Sequence, residues 1–173
     1  QKRVGKLLDL GCGPGSYTAA ILKKDKTATA TLMDRAAAIK VARKLCKTQS
    51  VYNRLHFVSG DFFDDELGEG FDTVLMSNII HIYNATENKT IFEKINKALK
   101  KGGRFVLYDL FLNNSKTGPY DAALFAITML LYTKTGKSYA FGEVESLLRN
   151  AGFARIKKTK IGDGSSIVEA IKI

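Results

Sequence analysis

Short apolar runs alternate with longer segments of helical periodicity along almost the whole chain. Residues 4–10 form an apolar run that stops at Gly11 and reads as a buried strand. A helix over 17–24 follows, with Ser16 placed to cap it. The second strand, 27–33, is β-branched and alternating, and 36–47 is helical by composition. A short third strand at 55–59 stops at Gly60-Asp61, and 71–76, almost wholly apolar, is the fourth. Ile91, Phe92, Ile95 and Leu99 set a helical spacing over 87–99, and the Lys100-Lys101-Gly102-Gly103 that follows suits a helix C-terminus. The pattern then predicts a strand over 104–111, a helix over 119–132 and a helix over 141–151 stopped by Gly152. The 119–132 segment is so apolar that burial on several sides is expected. Two last strands, 153–161 and 166–173, flank Gly162-Asp163-Gly164, a hairpin turn signal.

Strands that alternate with helices predict an α/β class, a parallel sheet wound on both faces by helices. The sheet has seven strands, and the closing hairpin makes one of them antiparallel. There is no internal repeat, low-complexity tract or linker, so residues 1–173 read as one domain. This order puts Gly11, Asp34, Asp61, Asn78, His81 and Asp109 at or just beyond the carboxyl ends of the strands, where open α/β sheets bind ligands.

The chemistry concentrates in Leu7-Leu8-Asp9-Leu10-Gly11-Cys12-Gly13-Pro14-Gly15, with Asp34 at the end of the next strand. A glycine turn between strand and helix, followed by an acid one strand on, is the layout of a nucleotide or nucleoside pocket. Asp9 decides between them. A carboxylate beside the turn repels a pyrophosphate and welcomes an ammonium or sulfonium group. The third glycine of a dinucleotide fingerprint is replaced by Ser16. The ligand inferred is S-adenosylmethionine, a cation without phosphates.

Composition narrows the setting. The chain has 173 residues, 45% hydrophobic and 25% charged, enough for a good single core. No apolar run reaches the ~18 residues of a membrane span. Cys12 and Cys46 form neither a disulfide framework nor a metal pattern, which points to a reducing, cytoplasmic compartment. The net charge of +10 is spread over scattered lysines without an Arg-rich, aromatic-interleaved run. It reads as a solvated surface, and nucleic acid is not the expected partner.

Four segments carry a resemblance to class I S-adenosylmethionine-dependent methyltransferases: 8–15, Gly60-Asp61-Phe62-Phe63, Leu75-Met76-Ser77-Asn78-Ile79-Ile80-His81 and Gly102-Gly103-Arg104-Phe105-Val106-Leu107-Tyr108-Asp109. With the region 122–153, the chain looks most like the catalytic domain of the small-molecule O-methyltransferases of caffeic-acid, acetylserotonin and polyketide type. The resemblance implies a Rossmann-like fold. It also implies methyl transfer from S-adenosylmethionine, leaving S-adenosylhomocysteine, to a hydroxyl of a small aromatic or polyketide-like molecule. In that family an N-terminal dimerising domain precedes this region. The expectation is that the present chain lacks it, and that any homodimer forms through a region outside the chain.

The same resemblance assigns the site. Gly11, Gly13 and Gly15 let the backbone approach the cofactor. Asp9 holds the methionine ammonium. Asp34 offers two acceptor oxygens to the ribose hydroxyls. Asp61 accepts from the adenine amino group and Phe62 stacks on the ring. Arg35, Gly60, Ser77 and Asn78 complete the cofactor set. His81 is the candidate general base, since an imidazole of pKa ~6.5 assists loss of a phenolic proton at neutral pH. Asp109 is its orienting acid. Phe125 and Met129 line the acceptor pocket, and no metal is implied.

Each residue also has a plainer reading: a structural cap for Asp9 and Asp109, a helix N-cap for Asp34, a loop acid for Asp61, core packing for Phe125 and Met129. The family's acid and Trp after the histidine are Ile82 and Tyr83 here, and its second orienting acid falls near Ser138. A nucleic-acid or protein methyltransferase, and a cofactor-binding relative without catalysis, remain the alternatives. Against the first, Ser77-Asn78-Ile79-Ile80 lacks the prolines of base-amino methylases.

Overall fold

The computed structural model describes residues 3–162 and 164–173. In chain order the elements are β1 (Lys6–Leu10), α1 (Ser16–Lys24), β2 (Thr29–Asp34), α2 (Ala36–Cys46), β3 (Leu55–Ser59), β4 (Phe71–Ser77), α3 (Ala85–Ala98), β5 (Leu99–Leu112), α4 (Tyr120–Tyr132), β6 (Tyr139–Ala140), α5 (Phe141–Asn150), β7 (Phe153–Lys160) and β8 (Ser165–Lys172). Short 3-10 turns occupy Tyr52–Arg54 and Ile80–Ile82. The sheet order is β3-β2-β1-β4-β5-β8-β7, and β6 pairs with β5 off this path. β8 runs antiparallel to both β5 and β7, and the other pairings are parallel. The α/β class, the parallel sheet and the single antiparallel strand are those read from the sequence.

The apolar runs form strands because the sheet is covered on both sides. Successive residues of one strand go to opposite layers. Leu8, Leu10, Val74 and Met76 join a core with α3 and α5 residues such as Ile91, Phe92 and Leu148. Leu7 and Leu75 join a second core with Leu22 of α1 and Ile39 and Ala42 of α2. Arg54 fastens the second layer. Its guanidinium donates to the carbonyls of Leu22, Asp25 and Ala28 at 2.7–2.9 Å, closing the end of α1.

Several expectations need correction. Ser16 does not cap α1: Gly15 holds the cap position at φ 78, without a side-chain cap bond. α3 starts earlier than expected because Asn84 and Glu87 form a reciprocal capping box. The Lys100–Gly103 stretch is not simply a helix end. It loops out between the pairs Phe71↔Leu99 and Thr73↔Arg104, with Gly102 at φ 76. β6, an eighth strand, is too short to leave a sequence pattern. Of the turn between β7 and β8, Asp163 lies outside the described residues. Finally, α4 is not buried on several sides. Only Ala122 and Met129 are buried, and Tyr120, Leu124, Ile127, Leu130, Leu131 and Tyr132 are each more than half exposed.

Candidate active site

Register brings the candidate residues to one edge of the sheet. Leu10 pairs with Met33 and with Met76, Asp34 pairs with Ser59, and Ser77 pairs with Tyr108. Gly11, Asp34, Gly60, Asn78 and Asp109 therefore emerge at the same level. Backbone bonds tie these ends together: Gly11 N–H to Met33 O at 2.9 Å, Gly60 N–H to Asp34 O at 3.0 Å and Asn78 N–H to Tyr108 O at 2.8 Å.

The glycine turn is shaped by contacts that a side chain would block. A Cβ on Gly11 would lie 2.5 Å from Ile79 Cδ1, and one on Gly15 would lie 2.7 Å from Leu32 Cδ2. Gly13, at φ 50, has open space around it, and its N–H donates to Asp34 Oδ2 at 2.9 Å. Asp34 Oδ1 accepts from Arg35 N–H at 2.7 Å. Asp34 is therefore bound to the turn and is not the α2 cap, a position held by Arg35.

Asp9 is buried beneath this turn, and Thr18 Oγ1 donates to its Oδ2 at 2.6 Å. Burial pushes the Asp9 carboxyl up to about 6, against the pull of the Thr18 bond and with a further push from Asp34. Cys12, in the turn itself, is buried and its thiol is pushed well above its ordinary value, chiefly by desolvation.

A cleft of about 230 Å³ opens beside the turn, lined by Asp34, Arg35, Gly60, Asp61, Phe62, Ile79, Ile82 and Tyr83. Asp61 does local work there as well: its Oδ1 accepts from Phe63 N–H at 2.9 Å, and its Oδ2 faces the Arg35 guanidinium at 3.8 Å. Phe62 is buried against the core yet contributes to the cleft wall. Ser77 is buried, and Asn78 is exposed with φ 55. Ile79 and Tyr83 had no place in the expected cofactor set. Their signal was only nearness to His81, because contacts made across a 3-10 turn follow neither the helix nor the strand period.

His81 sits in that turn, just past β4, and is 9% exposed. Its Nδ1 lies 2.9 and 3.0 Å from the two carboxylate oxygens of Asp109. Asp109 is buried and also accepts from Leu110 N–H at 2.8 Å. With Nδ1 engaged by a carboxylate, the proton is assigned to Nδ1 and Nε2 is left with its lone pair. The Phe125 ring meets the imidazole edge-on at 4.8 Å. Met129, one turn further along α4, is buried. Neither Phe125 nor Met129 lines the Asp34 cleft. No cluster of three or more His, Cys, Asp or Glu side chains able to hold a metal occurs among the described residues, and no helix among them is long and apolar enough to cross a membrane.

The doubly wound sheet thus gathers a glycine turn, a strand-end acid and a buried His–Asp pair at one edge. The family model described as O-methyltransferase domain matches residues 1–154, and the chain belongs to this family. The chain is 28% identical over 171 residues to 3-hydroxy-5-methyl-1-naphthoate 3-O-methyltransferase of Streptomyces sahachiroi, an alignment covering 98% of this chain and 49% of that protein. Among solved structures, an O-methyltransferase family 2 protein of Planctomyces limnophilus in complex with apigenin superimposes with a TM-score of 0.91. It is 27% identical, covering 97% of this chain and 51% of that one. PigF with SAH gives a TM-score of 0.88 at 28% identity, covering 96% and 50%. The chain spans about half the length of these relatives.

Proposed function

We propose that residues 1–173 form a catalytic domain that moves the methyl group of S-adenosylmethionine to a hydroxyl of a small aromatic or polyketide-like molecule. The observation that carries this is the buried His81–Asp109 pair, 2.9 Å apart, at the same strand-end edge as the Asp34 cleft. The apigenin-bound and SAH-bound relatives support the acceptor class and the cofactor.

Asp34, fixed by the Gly13 and Arg35 N–H groups, would offer its carboxylate to the ribose hydroxyls. Asp9, buried under the turn, supplies the charge for an ammonium. His81 Nε2 takes the acceptor's O–H proton while the oxygen attacks the methyl carbon. S-adenosylmethionine, when bound, would supply the methyl group on a sulfonium whose S–CH3 bonding electrons stay with sulfur, leaving S-adenosylhomocysteine. Asp109 stabilises the imidazolium that forms. Buried, unpaired cysteines fit a reducing, cytoplasmic setting.

The test is titration calorimetry with S-adenosylmethionine and S-adenosylhomocysteine, followed by a methylation assay on flavones and hydroxynaphthoates. Asp34→Ala is expected to lose cofactor binding. His81→Ala should keep it and lose ~10²–10⁴ in kcat, the usual worth of a general base. Binding of neither ligand to the folded wild type refutes the proposal. Binding without turnover on the panel replaces it with a cofactor-binding relative that does no catalysis.

A further inference from the structure

We infer that Asn88 and Tyr139 are positioning residues that hold the His81 turn in place; this rests on His81 acting as the base in the function proposed above.

The turn lies between the end of β4 and the start of α3, and its own bonds are few. Ile82 N–H donates to Ile79 O at 2.9 Å, and Tyr83 N–H reaches Ile80 O only at 3.3 Å. The side chain of Asn88, fully buried on α3, supplies what the turn lacks. Its Nδ2 donates to Ile80 O at 2.8 Å and to Tyr83 O at 3.1 Å, the carbonyls on either side of His81–Ile82. Tyr139, the first residue of β6, donates its hydroxyl to the same Tyr83 O at 2.7 Å and lies 3.0 Å from Asn88 Nδ2. Asn88 and Tyr139, 51 residues apart in sequence, thus close on the four residues 80–83 from two sides.

Two further contacts press the same segment onto the turn. A Cβ on Gly136 would collide with the carbonyl oxygens of His81 and Ile82, so the chain at 136 packs directly on the histidine's backbone. Thr135 Oγ1 donates to Glu87 Oε2 at 2.7 Å, joining that segment to the first turn of α3.

The state of Asn88 itself favours a positioning role. Its Oδ1 is buried without a hydrogen-bond partner among the described residues. A core selected only for stability would place an apolar side chain here and avoid that orphan, since a buried polar atom left unpaired demands a reason. The reason is that the amide's other end must reach the His81 turn. His81 is then held at three points: the turn that carries it by Asn88 and Tyr139 through the Ile80 and Tyr83 carbonyls, its Nδ1 by Asp109, and its ring by Phe125.

The experiment uses the protein with His56→Gln. His56 is exposed on β3, so this change leaves His81 as the only histidine. The Nδ1–H proton, held by Asp109, gives a downfield imidazole signal in proton NMR. Asn88→Leu keeps the branched shape, with bulkier methyl ends, and removes the donors. Tyr139→Phe keeps the ring and removes the hydroxyl.

Asn88→Leu is expected to broaden or move the His81 signal and to lower kcat at least ~10-fold, the scale of a small misplacement of a catalytic group, with KM for S-adenosylmethionine unchanged. Tyr139→Phe should act in the same direction and more weakly. It decides the matter if Asn88→Leu fails to fold. A folded variant with an unmoved signal and wild-type kcat overturns the inference. Full turnover by His81→Ala would sink the base assignment alone, because the NMR signal reports positioning without any acceptor.

Discussion

Asp9 carries a charge in a place where burial opposes it. In the unfolded chain its carboxyl ionises near 3.9, whereas in the fold it ionises at about 6. Between those values the native protein holds a proton that the unfolded chain has released. Stability therefore falls as pH rises through that window and levels off above about 6. At 1.36 kcal/mol per unit the full effect is about 3 kcal/mol. Asp9→Asn keeps the acceptor for Thr18 and removes the charge. Urea unfolding at pH 4 and pH 7.5 should show the variant gaining on the wild type only at the higher pH. Taking the difference between the two proteins isolates Asp9 from groups such as Asp72, whose lowered carboxyl works in the opposite sense. In the function proposed above, an ammonium beside Asp9 would favour the ionised form and reverse the balance. Affinity for S-adenosylmethionine should rise through pH ~6 in the wild type and stay flat and weak in Asp9→Asn. The glycine turn permits a second separation of stability from binding. Alanine at Gly13 meets nothing within 4 Å and suffers only the strain of a left-handed backbone, ~1 kcal/mol. Alanine at Gly11 adds a collision with Ile79 and should lose ~2–3 kcal/mol. Thermal unfolding should rank them so, while Gly13→Ala still weakens cofactor binding at the turn.

At the scale of elements, the second core layer depends on Arg54. One guanidinium answers three carbonyls around the end of α1. Arg54→Ala leaves them without it and is expected to lose about 2–3 kcal/mol in denaturant unfolding. Arg54→Lys, with a point charge and no fork, should recover only part of that. The strands were legible because each central one is covered on both faces, which leaves unbroken runs such as Leu7-Leu8 and Val74-Leu75-Met76. Their shared carboxyl edge was legible for the same reason, since parallel strands of one sheet end together. Features of other origin were not legible. Lysines and glycines suit a helix end and a bulge equally, so 100–103 was misjudged. β6 has too few residues for a period. α4 was expected to be buried because richness in apolar residues was equated with burial all round. The Asn88–Tyr139 contact joins residues 51 apart through an amide and a hydroxyl, and no periodicity marks such a pair.

The whole molecule combines a strongly basic surface with an open apolar face, and the two can be measured apart. Tyr120, Leu124, Ile127 and Leu131 form one stripe of α4 at spacings of three and four, flanked by Leu130 and Tyr132. All six are more than half exposed. A contiguous patch of this kind binds amphiphilic dyes, whereas scattered surface leucines do not. The dye ANS is an anion, and a chain of net charge +10 attracts it for electrostatic reasons too. Salt distinguishes the two. At ~0.5 M the screening length is about 4–5 Å, so binding to isolated lysines collapses, while apolar burial persists. ANS fluorescence on the wild type should therefore survive high salt. Leu130→Glu together with Leu131→Lys leaves the net charge at +10. That pair should abolish the salt-resistant fluorescence without lowering Tm, because neither side chain is packed in the fold. A salt-resistant signal unchanged in the double variant would mean that the dye sits elsewhere and that α4 is covered in solution.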